Sequence, residues 1–264
     1  MDVYLINLDR CPERAERIRG LLAPTGVALH RVRALDGRRL RERDRPAPAR
    51  AGALPAERDV LSRFEIACIL GHRSAWRRFL GSPASQAVIL EDDVYLAEGL
   101  AAFVGSPALS SAGFDILKLE TYREDVVVDG RESCLVEGRR IAPLLSIHRG
   151  SAGYVVTRQA AKRLLALSAG APWKMDHILF NSERVRRCGF EPFAIGQVVP
   201  ALVIQRDRRE DVSADDAYLA SIIVAERGGK SGHERLTGGK ILRELARPFR
   251  QLWFRSRRSI IEFG

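Results

Sequence analysis

The strongest constraint on the fold lies in the first 35 residues. An apolar run, Val3 to Leu8, ends at Asp9, and Asn7 sits near its close. That pattern suits a buried strand that delivers polar side chains at its C-terminal end. Pro12 stands where the first residue of a helix would stand, Glu13 and Glu16 favour a first turn, and Ile18, Leu21 and Leu22 recur at helical spacing. A second strand, around Leu29 to Leu35, closes at Asp36-Gly37. Strand, helix and strand in this order predict an α/β chain with a mostly parallel central sheet.

Later segments extend the pattern. Residues 38–59 lose apolar periodicity and are rich in Arg, Pro and Ala, which predicts a loop or mobile lid. Leu61 to Leu80 is helical in pattern, with Glu65, Cys68 and His72 on one face and Trp76 one turn on. Ala87 to Leu90 reads as a buried strand running into Glu91-Asp92-Asp93, and Phe114 to Leu119 as another strand. Asp129-Gly130, between Val126 to Val128 and Ser133 to Val136, signals a hairpin. Gly153 to Val156 reads as a strand, followed by a helix that Thr157 caps.

Charge divides the chain into parts. The net charge is +10, and residues 38–50 and 228–264 hold six Arg against two acids and nine basic residues against three acids. The globular remainder is neutral, so residues 1–227 are expected as one domain and 228–264 as a basic tail. Within 240–263, Ile241, Leu242, Leu245, Phe249, Leu252 and Trp253 fall at helical spacing among arginines, with a kink expected at Pro248. Such a stripe suits either a helix lying on an anionic membrane surface or packing on the protein's own core or a second copy in a homo-oligomer. No run approaches the roughly 20 apolar residues of a membrane span, and no leader precedes Val3, so a cytoplasmic location is expected. Cys11, Cys68, Cys134 and Cys188 form no C-x-x-C pair or Cys/His cluster in sequence, which argues against zinc.

The chemistry concentrates where three carboxylates leave the end of an apolar strand. Adjacent negative charges repel, so Glu91, Asp92 and Asp93 form either a solvated acidic turn or a site for a cation such as Mg²⁺ or Mn²⁺. Arg10 and Arg14 either solvate the first helix or face a phosphate. His72 is a packing histidine or a substrate contact; Trp76 and Tyr154 read as packing residues. Lys118, on an apolar strand, needs an anionic partner. Asp176-His177 offers either a carboxylate base or a helix cap.

Eight segments, in order, resemble glycosyltransferase family 25: V-Y-L-I-N-L-D-R-C-P-E-R (3–14), A-L-D-G (34–37), E-I-A-C-I-L-G-H-R-S-A-W (65–76), E-D-D (91–93), F-D-I-L-K-L (114–119), G-S-A-G-Y-V-V-T (150–157), M-D-H-I-L-F (175–180) and P-A-L-V-I-Q (200–205). The resemblance implies a GT-A-like fold, a UDP-sugar donor, usually a divalent metal, and inversion at the anomeric carbon. It implies Asn7, Asp9, Arg10 and Arg14 beside the nucleotide, Asp36 at the uridine or ribose, and Glu91 and Asp93 as metal ligands. His72, Asp92, Lys118 and His177 join the nucleotide-sugar site, and Asp176 is the expected base. The implied reaction moves a hexose, galactose first, to a glycan or glycolipid acceptor such as lipopolysaccharide. The alternative is a non-catalytic basic protein that binds membrane or nucleic acid through its two charged segments. No nucleic-acid-binding motif supports it, and nucleic acid is not an expected partner.

Overall fold

The computed structural model describes residues 1–41, 61–169, 173–187, 189–209, 219 and 258–264. It opens with the expected unit, β1 (Val3–Asn7), α1 (Pro12–Leu22) and β2 (Leu29–Arg33), with β1 and β2 parallel. Pro12 occupies the first turn of α1, where a missing N–H costs no helical bond, while Ala15, Ile18 and Leu22 turn inward. Helix α2 (Arg63–Leu80) begins at a capping box: Glu65 N–H donates to Ser62 Oγ, and Ser62 N–H donates to the Glu65 carboxylate.

The chain continues through β3 (Gln86–Glu91), β4 (Val94–Leu96), α3 (Leu100–Gly105), β5 (Ile116–Lys118), β6 (Glu120–Thr121) and β7 (Asp125–Val127). Next come β8 (Cys134–Val136), β9 (Arg139–Pro143), β10 (Gly153–Thr157), α4 (Arg158–Ser168), α5 (Met175–Phe180) and α6 (Ser182–Arg187). Strands β11 (Ile195–Val199), β12 (Val203–Gln205) and β13 (Arg258–Ile260) complete the described elements.

The main sheet runs β2-β1-β3-β10-β5-β11-β9-β8. It is mixed: β10 is antiparallel to both β3 and β5, and β9 to both β11 and β8, while the other six strands share one direction. Both faces are covered, which explains why β1 is apolar at successive positions instead of alternating. Tyr4 and Ile6 join a core with Trp76, Phe79, Ile89 and Tyr154, whereas Val3 and Leu5 join Ile18, Leu90 and Phe103 on the other face.

Two expectations are corrected. The hairpin joins β8 to β9 through Glu137 and Gly138, not through Asp129-Gly130. Glu137 and Gly138 adopt φ values of 47° and 73°, the paired left-handed conformation that a two-residue reversal needs. Asp129 instead accepts a bond from Arg131 N–H, and β7 pairs with β13. The helix expected through residue 263 is likewise absent from 258–260, which form a strand antiparallel to β7. The cause is packing: Ile261 is buried, and its carbonyl accepts from the Thr121 hydroxyl. Residues 42–59 of the expected lid and 228–257 of the tail lie outside the described residues. No helix among the described residues is long and apolar enough to cross a membrane.

Candidate active site

The C-terminal ends of β1 and β3 open into a cleft. Arg10 and Arg14 reach it from around the start of α1, Asp36 from beyond β2, Cys68 and His72 from α2, and Glu91, Asp92 and Asp93 from the end of β3. Parallel neighbouring strands bring these distant segments to one rim. An adjoining hollow shares Arg10 and Asp36 and adds Asp9.

The three consecutive carboxylates meet three different environments. Asp92 is buried against Asn7 Nδ2, which donates to Oδ2 over 2.7 Å, and Arg14, whose guanidinium is 3.1 Å from Oδ1. Burial raises the Asp92 carboxyl pKa even so. Glu91 Oε1 accepts from Ser151 Oγ over 2.8 Å and lies 3.1 Å from His72 Nε2. Burial acts to raise it, but the bonds from His72 and Ser151, with the charge of Lys118, hold Glu91 below its ordinary value. Asp93 lacks such bonds, and the charge of Arg14 does not offset its surroundings. Its Oδ1 is buried with no hydrogen-bond partner among the described residues, and burial, with Glu91 and Asp92 nearby, pushes its carboxyl well above the usual range.

A hydrogen-bonded chain stands behind Glu91. Trp76 Nε1–H donates to Tyr154 Oη over 2.9 Å, and the same hydroxyl is hydrogen-bonded to His72 Nδ1 over 2.9 Å. His72 Nε2–H then donates to Glu91. Indole is a donor only, so the Tyr154 oxygen must accept from Trp76, and this one hydroxyl serves both buried rings. His72, Trp76 and Tyr154 are all fully buried, and the sequence reading of Trp76 and Tyr154 as packing residues misses their polar role.

Lys118 has the anionic partner its burial demands. Its Nζ donates to Glu120 Oε2 over 3.2 Å and to Gly150 O over 2.7 Å, and lies 4.3 Å from the Phe180 ring centroid. Burial pushes the Glu120 carboxyl up to about 7 against the pull of Lys118. Gly150 has φ +86°, and a Cβ there would lie 2.7 Å from Glu120 Cδ. The next two residues depend on this corner: Ala152 N–H donates to Glu120, and Ser151 reaches Glu91.

The remaining predicted residues lie around this centre. Asn7 is spent on protein groups, donating to Cys11 O and Asp92 and accepting from Arg31. Asp9 pairs with Arg31 and Arg33, and bonding to Arg31 leads the lowering of its carboxyl pKa. Asp36 caps a short turn, accepting from Arg38 N–H and from Arg10 over 3.0 Å. Asp176 is not the helix cap, a place taken by Lys174; it lies in the first turn of α5, where Oδ1 accepts from His177 N–H. Its charge is felt by Lys118 and Cys68, although neither it nor His177 lines the cleft.

Glu120, Ser151 and Cys68 were missed as site residues. The signal for Cys68 was present in its place one helical turn before His72. The fold corrects the reading that no Cys/His cluster exists, since Cys68, His72 and Glu91 offer donor atoms all within 4.8 Å of one another.

Residues 1–179 match the family model described as glycosyltransferase family 25 (LPS biosynthesis protein). The lacto-N-neotetraose biosynthesis glycosyltransferase LgtB of Neisseria meningitidis serogroup A / serotype 4A is 27% identical over 246 residues, 89% of this chain and 85% of that protein. LgtE of Neisseria meningitidis serogroup B is 27% identical over 193 residues, 68% of this chain and 66% of that protein. Among solved structures, the galactosyltransferase LgtC in complex with donor and acceptor sugar analogs aligns with a TM-score of 0.41 and 11% identity, covering 89% of this chain and 98% of that one.

Proposed function

Because the chain belongs to glycosyltransferase family 25, we propose that it moves a hexose, galactose first, from a UDP-sugar to a saccharide of a cell-surface glycolipid such as lipopolysaccharide, with inversion. The observation that carries this reading is Asp93: a buried carboxylate with an unpartnered oxygen, in a cleft that also holds Arg10 and Arg14. An orphaned anion beside two other carboxylates fits a divalent cation, and hard oxygen donors favour Mn²⁺ or Mg²⁺. Asp93 and Glu91 would hold it. When bound, such an ion supplies positive charge to a departing diphosphate.

The chain's own groups then divide the work. Arg10 lies at the cleft rim to meet the diphosphate, and Asp9 and Asp36 stand on the nucleoside side. Asn7, Arg14 and Lys118 act mainly by holding the carboxylates in place, Asn7 and Arg14 through Asp92. His72 steers Glu91, and His177 acts with Asp176 on the acceptor side. Asp176 takes the proton from the acceptor hydroxyl as its oxygen bonds to C1 and the C1–O bond to the diphosphate breaks. The GT-A-like layout is part of the same proposal. So is a peripheral membrane contact through the basic stripe of 240–263, reduced by residues 258–263 that pack on the domain.

The test is UDP release from a panel of UDP-sugars with Mn²⁺ and a short glycan acceptor. Asp93→Ala should abolish metal-dependent release, and Asp176→Asn should cut kcat while donor affinity stays near wild type. Wild-type turnover by Asp93→Ala in Mn²⁺ overturns the metal assignment.

A further inference from the structure

A thiol, an imidazole and a carboxylate meet on the cleft wall. Cys68 and His72 lie one turn apart on α2, Glu91 faces them from the end of β3, and their donor atoms all fall within 4.8 Å. We propose that Cys68, His72 and Glu91 form a second cation site, selective for a thiophilic divalent ion of the Zn²⁺ class. Sulfur and imidazole donors prefer such ions, whereas the Asp93 side of the cleft offers only oxygen.

The surroundings are already those of a metal site. A ligating histidine ordinarily donates its second ring N–H to a fixed acceptor, and a ligating carboxylate is itself hydrogen-bonded. Tyr154 stands 2.9 Å behind His72 Nδ1, fixed in turn by Trp76, and Ser151 Oγ donates to Glu91. Three protein ligands facing a cleft leave a fourth position open. With Zn–ligand bonds of about 2.0–2.3 Å, tetrahedral donors stand about 3.3–3.8 Å apart, so the group must contract by about 1 Å. His72 Nε2 and Glu91 Oε1 already lie 3.1 Å apart, which leaves most of the movement to the Cys68 rotamer.

Proton balance is simple. On binding, the Cys68 thiol gives its proton to solvent, and His72 ligates through a bare Nε2 with its one proton on Nδ1, where the Tyr154 oxygen has a lone pair to accept it. One dication with one thiolate and one carboxylate is neutral, which suits a buried place. Without an ion, burial and Glu91 keep the thiol protonated, its pKa well above the ordinary value.

The test reads binding and not turnover, so its failure leaves the transferase reading intact. Reduced, chelator-treated full-length protein is titrated with Cd²⁺, following the ultraviolet thiolate-to-metal absorbance, and with Zn²⁺ against a chromophoric chelator. One equivalent of Cd²⁺ should raise the band, Cys68→Ser should abolish it, and Glu91→Gln should weaken Zn²⁺ about tenfold or more. In a second measurement on the wild type, one equivalent of Zn²⁺ should slow alkylation of Cys68 as followed by mass spectrometry. A missing band, a band that persists in Cys68→Ser, or unchanged Cys68 alkylation overturns the proposal.

Discussion

Tyr154→Phe removes one oxygen and leaves two buried groups stranded. The ring keeps its place between His72 and Phe180, with centroids 5.7 and 6.4 Å away. Lost are the acceptor for Trp76 Nε1–H and the partner of His72 Nδ1, both in fully buried residues. An unsatisfied buried polar group costs about 1–3 kcal/mol, so the pair should cost about 2–5 kcal/mol. The vacated space, about one hydroxyl, is too small for a replacement water. Against a total stability of about 5–15 kcal/mol, that loss is plain in urea unfolding monitored by circular dichroism. In the double variant Tyr154→Phe/Trp76→Phe the donor goes with its acceptor, and the two losses should fall short of additivity by about 1 kcal/mol. A Tyr154→Phe loss under about 1 kcal/mol, or strict additivity, refutes the shared-hydroxyl reading.

Three further variants probe other parts of the site. Gly150→Ala forces a Cβ against Glu120 at φ +86° and should cost at least about 2 kcal/mol, against a near-neutral Gly113→Ala judged on steric space alone, before the backbone strain of about 1–3 kcal/mol both share; equal unfolding midpoints for the two variants would count against the Glu120 contact. Asp93 has a raised carboxyl pKa in the fold, so its relative contribution to stability is fully present below the unfolded value near 3.8 and is lost as pH rises toward and through the folded value. Metal-free Asp93→Asn should therefore match or trail the wild type in acid and gain on it as pH rises, with Mn²⁺ reversing the order; a pH-independent difference in chemical denaturation contradicts this. Deleting residues 258–264 exposes the Ile261 pocket and should cost at least about 1.5–3 kcal/mol in thermal or urea unfolding; an unchanged Tm would show that β13 contributes no stability.

The parts of the fold legible in sequence are those whose cause is local. Val3 to Asn7 had to be a strand buried on both faces, and Pro12, Ile18 and Leu22 fixed the helix after it. His72 and Cys68 fell on one face by helical period alone. Strand direction has no such local signature: nothing in Gly153 to Thr157 says that this strand enters between β3 and β5 in the opposite sense. For that reason Ser151, Tyr154 and Glu120 stayed hidden as site residues, since β10 brings the first two to Glu91 and His72 by long-range pairing. The same limit explains the tail. The alternation in Arg258 to Ile261 is too short to outweigh a helical stripe, and its partner is β7, far earlier in the chain. The misplaced hairpin has a different cause, since Asp129-Gly130 is a sound turn signal that the competing Glu137-Gly138 reversal overrode.

The pairing of β7 with β13 also sets an order of events on the ribosome. Thr121 and the Ile261 carbonyl it holds are 140 residues apart, so no nascent chain shorter than 260 residues can close this edge. Until then the β13 side of Asp125–Val127, with Val126 and Val127 destined for burial, lacks its partner strand, while the other side bonds to Leu145 and Ser146. Open apolar edges invite pairing with other chains. Partly made protein is therefore the form most exposed to aggregation, and a chaperone that covers β7 would protect synthesis without touching the finished molecule.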